Sequence, residues 1–116
     1  MGMIYLMKDE KRNYALFKVG FTEDLKNRMY QYTSHNPEVE CISTLKTYKV
    51  TGRNVEKLFH KEIENRGYQF SIAIIDGKQT EWFRVAYTDP FFGELCAKGL
   101  NAFQCGKVRK DCGAYH

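Results

Sequence analysis

Apolar and polar positions alternate most clearly between Tyr14 and Phe21. Tyr14, Leu16, Lys18 and Gly20 fall on one side, and Ala15, Phe17, Val19 and Phe21 on the other. A period of two predicts a strand. Beyond Thr22 the period lengthens: Leu25, Arg28, Met29 and Tyr32 recur at i, i+3, i+4 and i+7, which is one face of a helix. Thr22 is the expected N-cap, with Glu23 and Asp24 in the first turn. The helix is predicted over 23–32 and ends at Ser34-His35-Asn36-Pro37. Arg28 interrupts the apolar stripe. A guanidinium there either snorkels at the edge of the face or needs an anion, a carboxylate or a phosphate.

The same reading extends to both sides. Residues 3–7 form a short apolar strand in which Tyr5 shares a face with Met3 and Met7, and a charged loop over 8–13 makes it a hairpin with the next strand. A third strand is expected over 40–50, then a helix from Gly52 to about Arg66 with Thr51 as its cap. Val55, Leu58, Phe59 and Ile63 form its buried face, and Gly67 closes it. Strands follow over 70–75 and 79–85, joined by an Asp76-Gly77 turn. Asp89 and Pro90 read as N-cap and first position of a last helix, with Phe92, Cys96, Leu100 and Phe103 on its inner face. This order predicts an α+β fold with a small central antiparallel sheet flanked by helices. It predicts one domain over residues 1–105 and a short basic tail over 106–116.

At 116 residues the chain suffices for one domain with a real core. No apolar run approaches the length of a membrane span, and charge at Lys8–Lys11 breaks any signal-peptide layout. A soluble cytoplasmic protein with no membrane partner is expected. Cys41, Cys96, Cys105 and Cys112 are then thiols, and without a CxxC pair a structural zinc site is not expected. The net charge of +4 permits a nucleic-acid partner without requiring one.

Several short motifs occur in order: Met3-Ile4-Tyr5, then Lys18-Val19-Gly20, then Arg28 ten residues beyond Lys18, then Glu56 in NVEKLFHKEI, then Glu81-Trp82-Phe83. In order and spacing the chain resembles the GIY-YIG nuclease superfamily, in particular a compact phage and bacterial branch with a Glu-Trp-Phe signature. The match spans residues 3–85. Met3 stands where the first motif has its leading Gly, and Lys18 where the second has tyrosine.

That resemblance implies a metal-dependent DNA endonuclease in a bacterial or phage-infected cytoplasm. Tyr5 would be the general base or orient the water, and Lys18 would lower the phenol's pKa from about 10. Arg28 would clamp the phosphate. Glu56 would bind one Mg²⁺ or Mn²⁺, with water and phosphate filling the other positions. Tyr32, His35, Arg53 and His60 are candidates for substrate contact. Without the motif pattern, Tyr5 is a half-buried strand tyrosine, Lys18 a solvated lysine and Glu56 a surface glutamate paired with His60 at i+4. Trp82 reads as core. The alternative function is a non-catalytic nucleic-acid or protein binding module on the same fold.

Lys46, Lys49, Arg53, Lys57 and Lys61 are expected to gather around the second helix. DNA affinity should therefore fall with salt at a log–log slope of about −0.9 per phosphate neutralised. A fluorescence-anisotropy titration series checks this, and a flat response would point to a protein or small-molecule partner.

Overall fold

The alternating run of residues 14–21 lies at the middle of a five-stranded sheet. β1 (Gly2–Glu10) pairs antiparallel with β2 (Tyr14–Thr22), placing Tyr5 opposite Gly20 and Met7 opposite Lys18. β3 (Glu40–Thr47) flanks β1, with an irregularity in register between Leu6 and Met7. Beyond β2 come β5 (Lys78–Ala86) and then β4 (Phe70–Ile75), so the order is β3-β1-β2-β5-β4, antiparallel throughout. This computed structural model describes residues 2–47, 49–75 and 78–103, with the backbone alone at 49–51, 71–75 and 78–80. The expected Asp76-Gly77 turn, the basic tail over 106–116, Cys105 and Cys112 lie outside the described residues, as do the side chains of Lys49 and Thr51.

The period of two gives the sheet two apolar faces. One carries Ile4, Leu6, Ala15, Phe17, Val19, Phe83 and Val85. It packs against Val55, Phe59 and Ile63 of α2 (Lys49–Asn65) and Phe91 and Leu95 of α3 (Pro90–Lys98). The other carries Tyr5 and Met7, covered by Leu25, Met29 and Tyr32 of α1 (Leu25–His35) together with Val39 and Trp82. Fully burying a large apolar side chain stabilises by roughly 1.5–3 kcal/mol. The α2/α3 layer holds most such residues, whereas none of α1 is fully buried. The predicted α+β class and flanking helices are therefore present, with helices on both faces.

Several boundaries move, each for a local reason. Asp24, not Thr22, caps α1, its carboxylate accepting from the Asn27 N–H at 3.1 Å. Thr22 instead binds the Asp24 backbone, its Oγ1 accepting from that N–H at 3.1 Å. α1 runs on to His35, and the Asn36 N–H bonds the Tyr32 carbonyl at 3.0 Å. β3 stops at Thr47, so Val50 begins a helix instead of ending a strand. The inner face of α3 is Phe91 and Leu95; Phe92 is half-buried and Cys96 exposed. α3 ends at Lys98 and gives way to a 3-10 turn (Gly99–Ala102), so a single helical period does not reach Leu100 and Phe103, although both are buried.

The start of α3 is held by one carboxylate. Asp89 Oδ1 accepts from the Phe91 N–H at 2.9 Å, and Asp89 Oδ2 accepts from the Tyr68 hydroxyl. Removing such a cap costs about 1 kcal/mol, and a lost hydrogen bond to a charged group about 1.5–3 kcal/mol. Asp89→Ala is therefore expected to lower stability by about 2–4 kcal/mol, with Asp89→Asn losing less because it still caps. Urea unfolding of the three proteins checks the order.

Candidate metal centre and anion groove

The sheet is not continuous between β2 and β5. Their pairing runs from Tyr14↔Ala86 to Phe17↔Phe83 and stops there. Lys18, Val19 and Gly20 continue β2 with no β5 partner. The backbone groups freed this way need other partners, and an unpaired buried carbonyl costs about 1–3 kcal/mol. His60 of α2 supplies one: its Nε2 lies 2.8 Å from the Val19 carbonyl oxygen. A carbonyl only accepts, so Nε2 is the donor. The ring packs edge-on against Phe70, with centroids 5.2 Å apart.

Two carboxylates converge on the same imidazole. Glu81 Oε2 lies 3.1 Å from His60 Nδ1, and Glu56 Oε1 lies 3.9 Å from Nε2. One ligand atom from each of Glu56, His60 and Glu81 falls within 4.8 Å of the others. Glu56 and His60 are one helical turn apart, and Glu81 arrives from β5. Burial raises the Glu56 carboxyl above the ordinary glutamate range; His60 lowers it, Glu81 raises it, and Lys18 and Arg53 lower it further. Two carboxylates and a nitrogen donor so close together fit a divalent cation. Carboxylates suit Mg²⁺ and Mn²⁺, while the imidazole favours Mn²⁺ of the two.

On the other face of the sheet, Tyr5 is 1% exposed. A Cβ on Gly20 would sit 2.3 Å from Tyr5 Oη and 2.4 Å from its Cζ, so the ring lies across β2 where only glycine leaves room. Burial raises the phenol pKa most, the neighbouring Tyr32 raises it further and hydrogen-bonds it, and Arg28 pulls it down. The net direction is upward. This corrects the expectation of a phenol activated by Lys18. Lys18 does share the Tyr5 face, diagonal to it in the hairpin, but its charge acts on Glu56. Tyr32 meets Tyr5 and stacks edge-on with Trp82 at 6.1 Å, so Trp82 is part of the α1 layer.

Arg28 is half-buried and opens into a groove of about 290 Å³ between the β2–α1 turn and the start of α2. Arg53 lines the same groove, with Phe21, Asn27 and Gln31. Among the described residues neither guanidinium has an ion-pair partner. Of the two anions the sequence allowed for Arg28, a phosphate therefore remains. The approach of α2 depends on Gly52, where a Cβ would stand 2.2 Å from the Phe21 ring. Lys46, Arg53, Lys57 and Lys61 are all exposed.

Of the sequence candidates, Glu56 and His60 meet at the acidic cluster, Tyr5 and Tyr32 meet under α1, and Arg28 and Arg53 meet in the groove. Lys18 links the first two sets through its charge. His35 stands apart: it is exposed, seven residues past Arg28 and so about 10 Å further along the helix. Glu81 was missed as a partner of Glu56. Strand parity carried the signal, because Glu81 alternates with Phe83 and Val85 and so faces α2.

A family model, the T5orf172 domain, matches residues 2–90. No curated protein and no solved structure gives a match. The resemblance to GIY-YIG nucleases rested on motifs of one to three residues, with Met3 and Lys18 departing from them; the match over 2–90 is to a different family and replaces it. The chain belongs to the T5orf172 domain family.

Proposed function

We propose that this protein is a divalent-metal-dependent nuclease that hydrolyses phosphodiester bonds in DNA. The reading is carried by one juxtaposition: the Glu56–His60–Glu81 cluster lies beside a groove whose two guanidiniums have no carboxylate partner among the described residues. Phosphodiester hydrolysis requires activated water, neutralised phosphoryl oxygens and help for the leaving oxygen. A divalent cation, Mn²⁺ or Mg²⁺, supplies Lewis acidity and acidifies water when bound. Glu56 and Glu81 would hold it, with His60 Nδ1 completing the set while Nε2 stays on the Val19 carbonyl. Lys18 favours the ionised form of Glu56 that a cation needs.

Arg28 holds the scissile phosphate through two parallel N–H···O bonds, and Arg53 takes a neighbouring phosphate. Tyr5 keeps its proton, so it serves as a hydrogen-bond donor that orients the phosphate instead of a base. No helix among the described residues is long and apolar enough to cross a membrane, and the exposed lysines around α2 suit a polyanion.

The cation is tested by thermal unfolding with and without Mn²⁺. At about 100 times its Kd a ligand stabilises the folded state by about 2.7 kcal/mol. The wild type should gain this much, and Glu56→Gln and Glu81→Gln much less. Equal shifts in all three proteins would remove the cluster from metal binding. Plasmid nicking should vanish in the same two variants, and its persistence there would end the assignment.

The Glu56 carboxyl also makes a pH prediction for the chelated protein. Its folded pKa is raised, so its contribution is fully present below the ordinary glutamate pKa and is lost as pH rises through the raised value. Glu56→Gln should therefore melt above the wild type at pH 7, with the difference vanishing near pH 3. Saturating Mn²⁺ should reverse the order at pH 7. Melting curves across pH check both signs.

For Arg28, the planar fork matters as well as the charge. Arg28→Lys should lose roughly 10²–10³ in single-turnover rate, nearly as much as Arg28→Ala. Both should remain folded by circular dichroism, because no residue of α1 is fully buried. Near-normal cleavage by Arg28→Ala would reject the phosphate clamp.

A further inference from the structure

Arg28 is not alone on its side of α1. Asn27 and Gln31, four residues apart, are exposed at the rim of the same groove. Among the described residues their side-chain amides make no hydrogen bond; Asn27 uses its backbone N–H and Gln31 its carbonyl. Between them stands Tyr30, 71% exposed. Such a ring in open solvent has no role in either core. The helix carries Lys26 and Arg28 and no acidic residue over its eleven positions.

We propose that α1 is a recognition helix, and that Asn27, Tyr30 and Gln31 read the bases of duplex DNA beside the phosphate held by Arg28. An α-helix fits the major groove of B-DNA. The major groove of duplex RNA is too deep and narrow for side chains to read, which selects DNA as the partner. Asn and Gln amides pair bidentately with adenine N6 and N7. At four residues' separation the two amides stand about 6 Å apart along the axis, close to two base steps of about 3.4 Å each. The exposed ring of Tyr30 suits contact with a thymine methyl or a sugar. Arg28, on the adjoining face, ties this register to one phosphate. Base reading and phosphate holding thus come from one rigid helix. The inference rests on the nuclease reading for its partner, though not on cleavage itself.

The test is selection from a randomised duplex DNA library by the full chain, with a chelator present so that nothing is cut. The wild type should enrich a short motif containing adenines about two steps apart. The double variant Asn27→Ala/Gln31→Ala should lose the enrichment. Its affinity for the best wild-type sequence should fall by roughly 5- to 150-fold, the range for losing a bidentate base contact. Both altered residues are exposed, so the variant should fold, and circular dichroism verifies it. An unenriched library, or a motif kept by the double variant, overturns the proposal. A protein that selects an α1-dependent motif yet never nicks plasmid DNA with Mn²⁺ ends the nuclease reading and upholds this one. A protein that cleaves with no α1-dependent motif does the reverse.

Discussion

His60 meets the Val19 carbonyl at 2.8 Å because β2 runs past the end of its pairing with β5. Much of the polar chemistry follows from that opening. A closed sheet would bond Val19 to another strand and leave His60 a surface residue of α2. With the opening, the imidazole sits against the sheet backbone, and Glu56 one turn back and Glu81 across on β5 are drawn to it. The same opening lets charges on opposite faces act on one another. Lys18 belongs to the Tyr5 face, yet it acts on Glu56 of α2.

The close approaches on the two faces share a cause. The Tyr5 ring crosses β2 over Gly20, and the Phe21 ring is met by α2 at Gly52. A methyl group at either position would displace an aromatic ring by more than packing tolerates. Gly20 therefore governs where the phenol sits, and Gly52 governs how near Arg53 comes to Arg28. These glycines act through what they omit, and neither has a positive φ.

Much of the architecture is legible in the sequence because period is a local property. The alternation over 14–21 and the i, i+3, i+4, i+7 run of α1 identify their elements, and Val55, Phe59 and Ile63 are buried as their spacing requires. Boundaries are less legible where one hydrogen bond decides between neighbours, as between Thr22 and Asp24 at the cap of α1. The inner face of α3 was misread because the 3-10 turn changes the period. For the site, residue types were readable and their partners were not. Lys18 and Tyr5 share a face, but the burial that raises the phenol arises from α1, which sequence spacing does not dock. Glu81 was recoverable from strand parity alone, whereas the end of the β2–β5 ladder that brings it to Glu56 depends on register.

The two layers differ in depth, and this bears on how the molecule opens. α2 and α3 are anchored by fully buried aromatic and aliphatic side chains, whereas α1 rests on partly buried Leu25, Met29 and Tyr32. Sub-global opening follows the density of buried apolar contact. α1 is thus the separable unit: its amides exchange with solvent through an opening that leaves the α2 layer and its acidic cluster intact. Arg28 travels with α1, and Glu56 and His60 stay behind. The guanidinium arm can then swing clear and return while the carboxylates hold their positions, so a long polymer enters and leaves without unfolding of the main core.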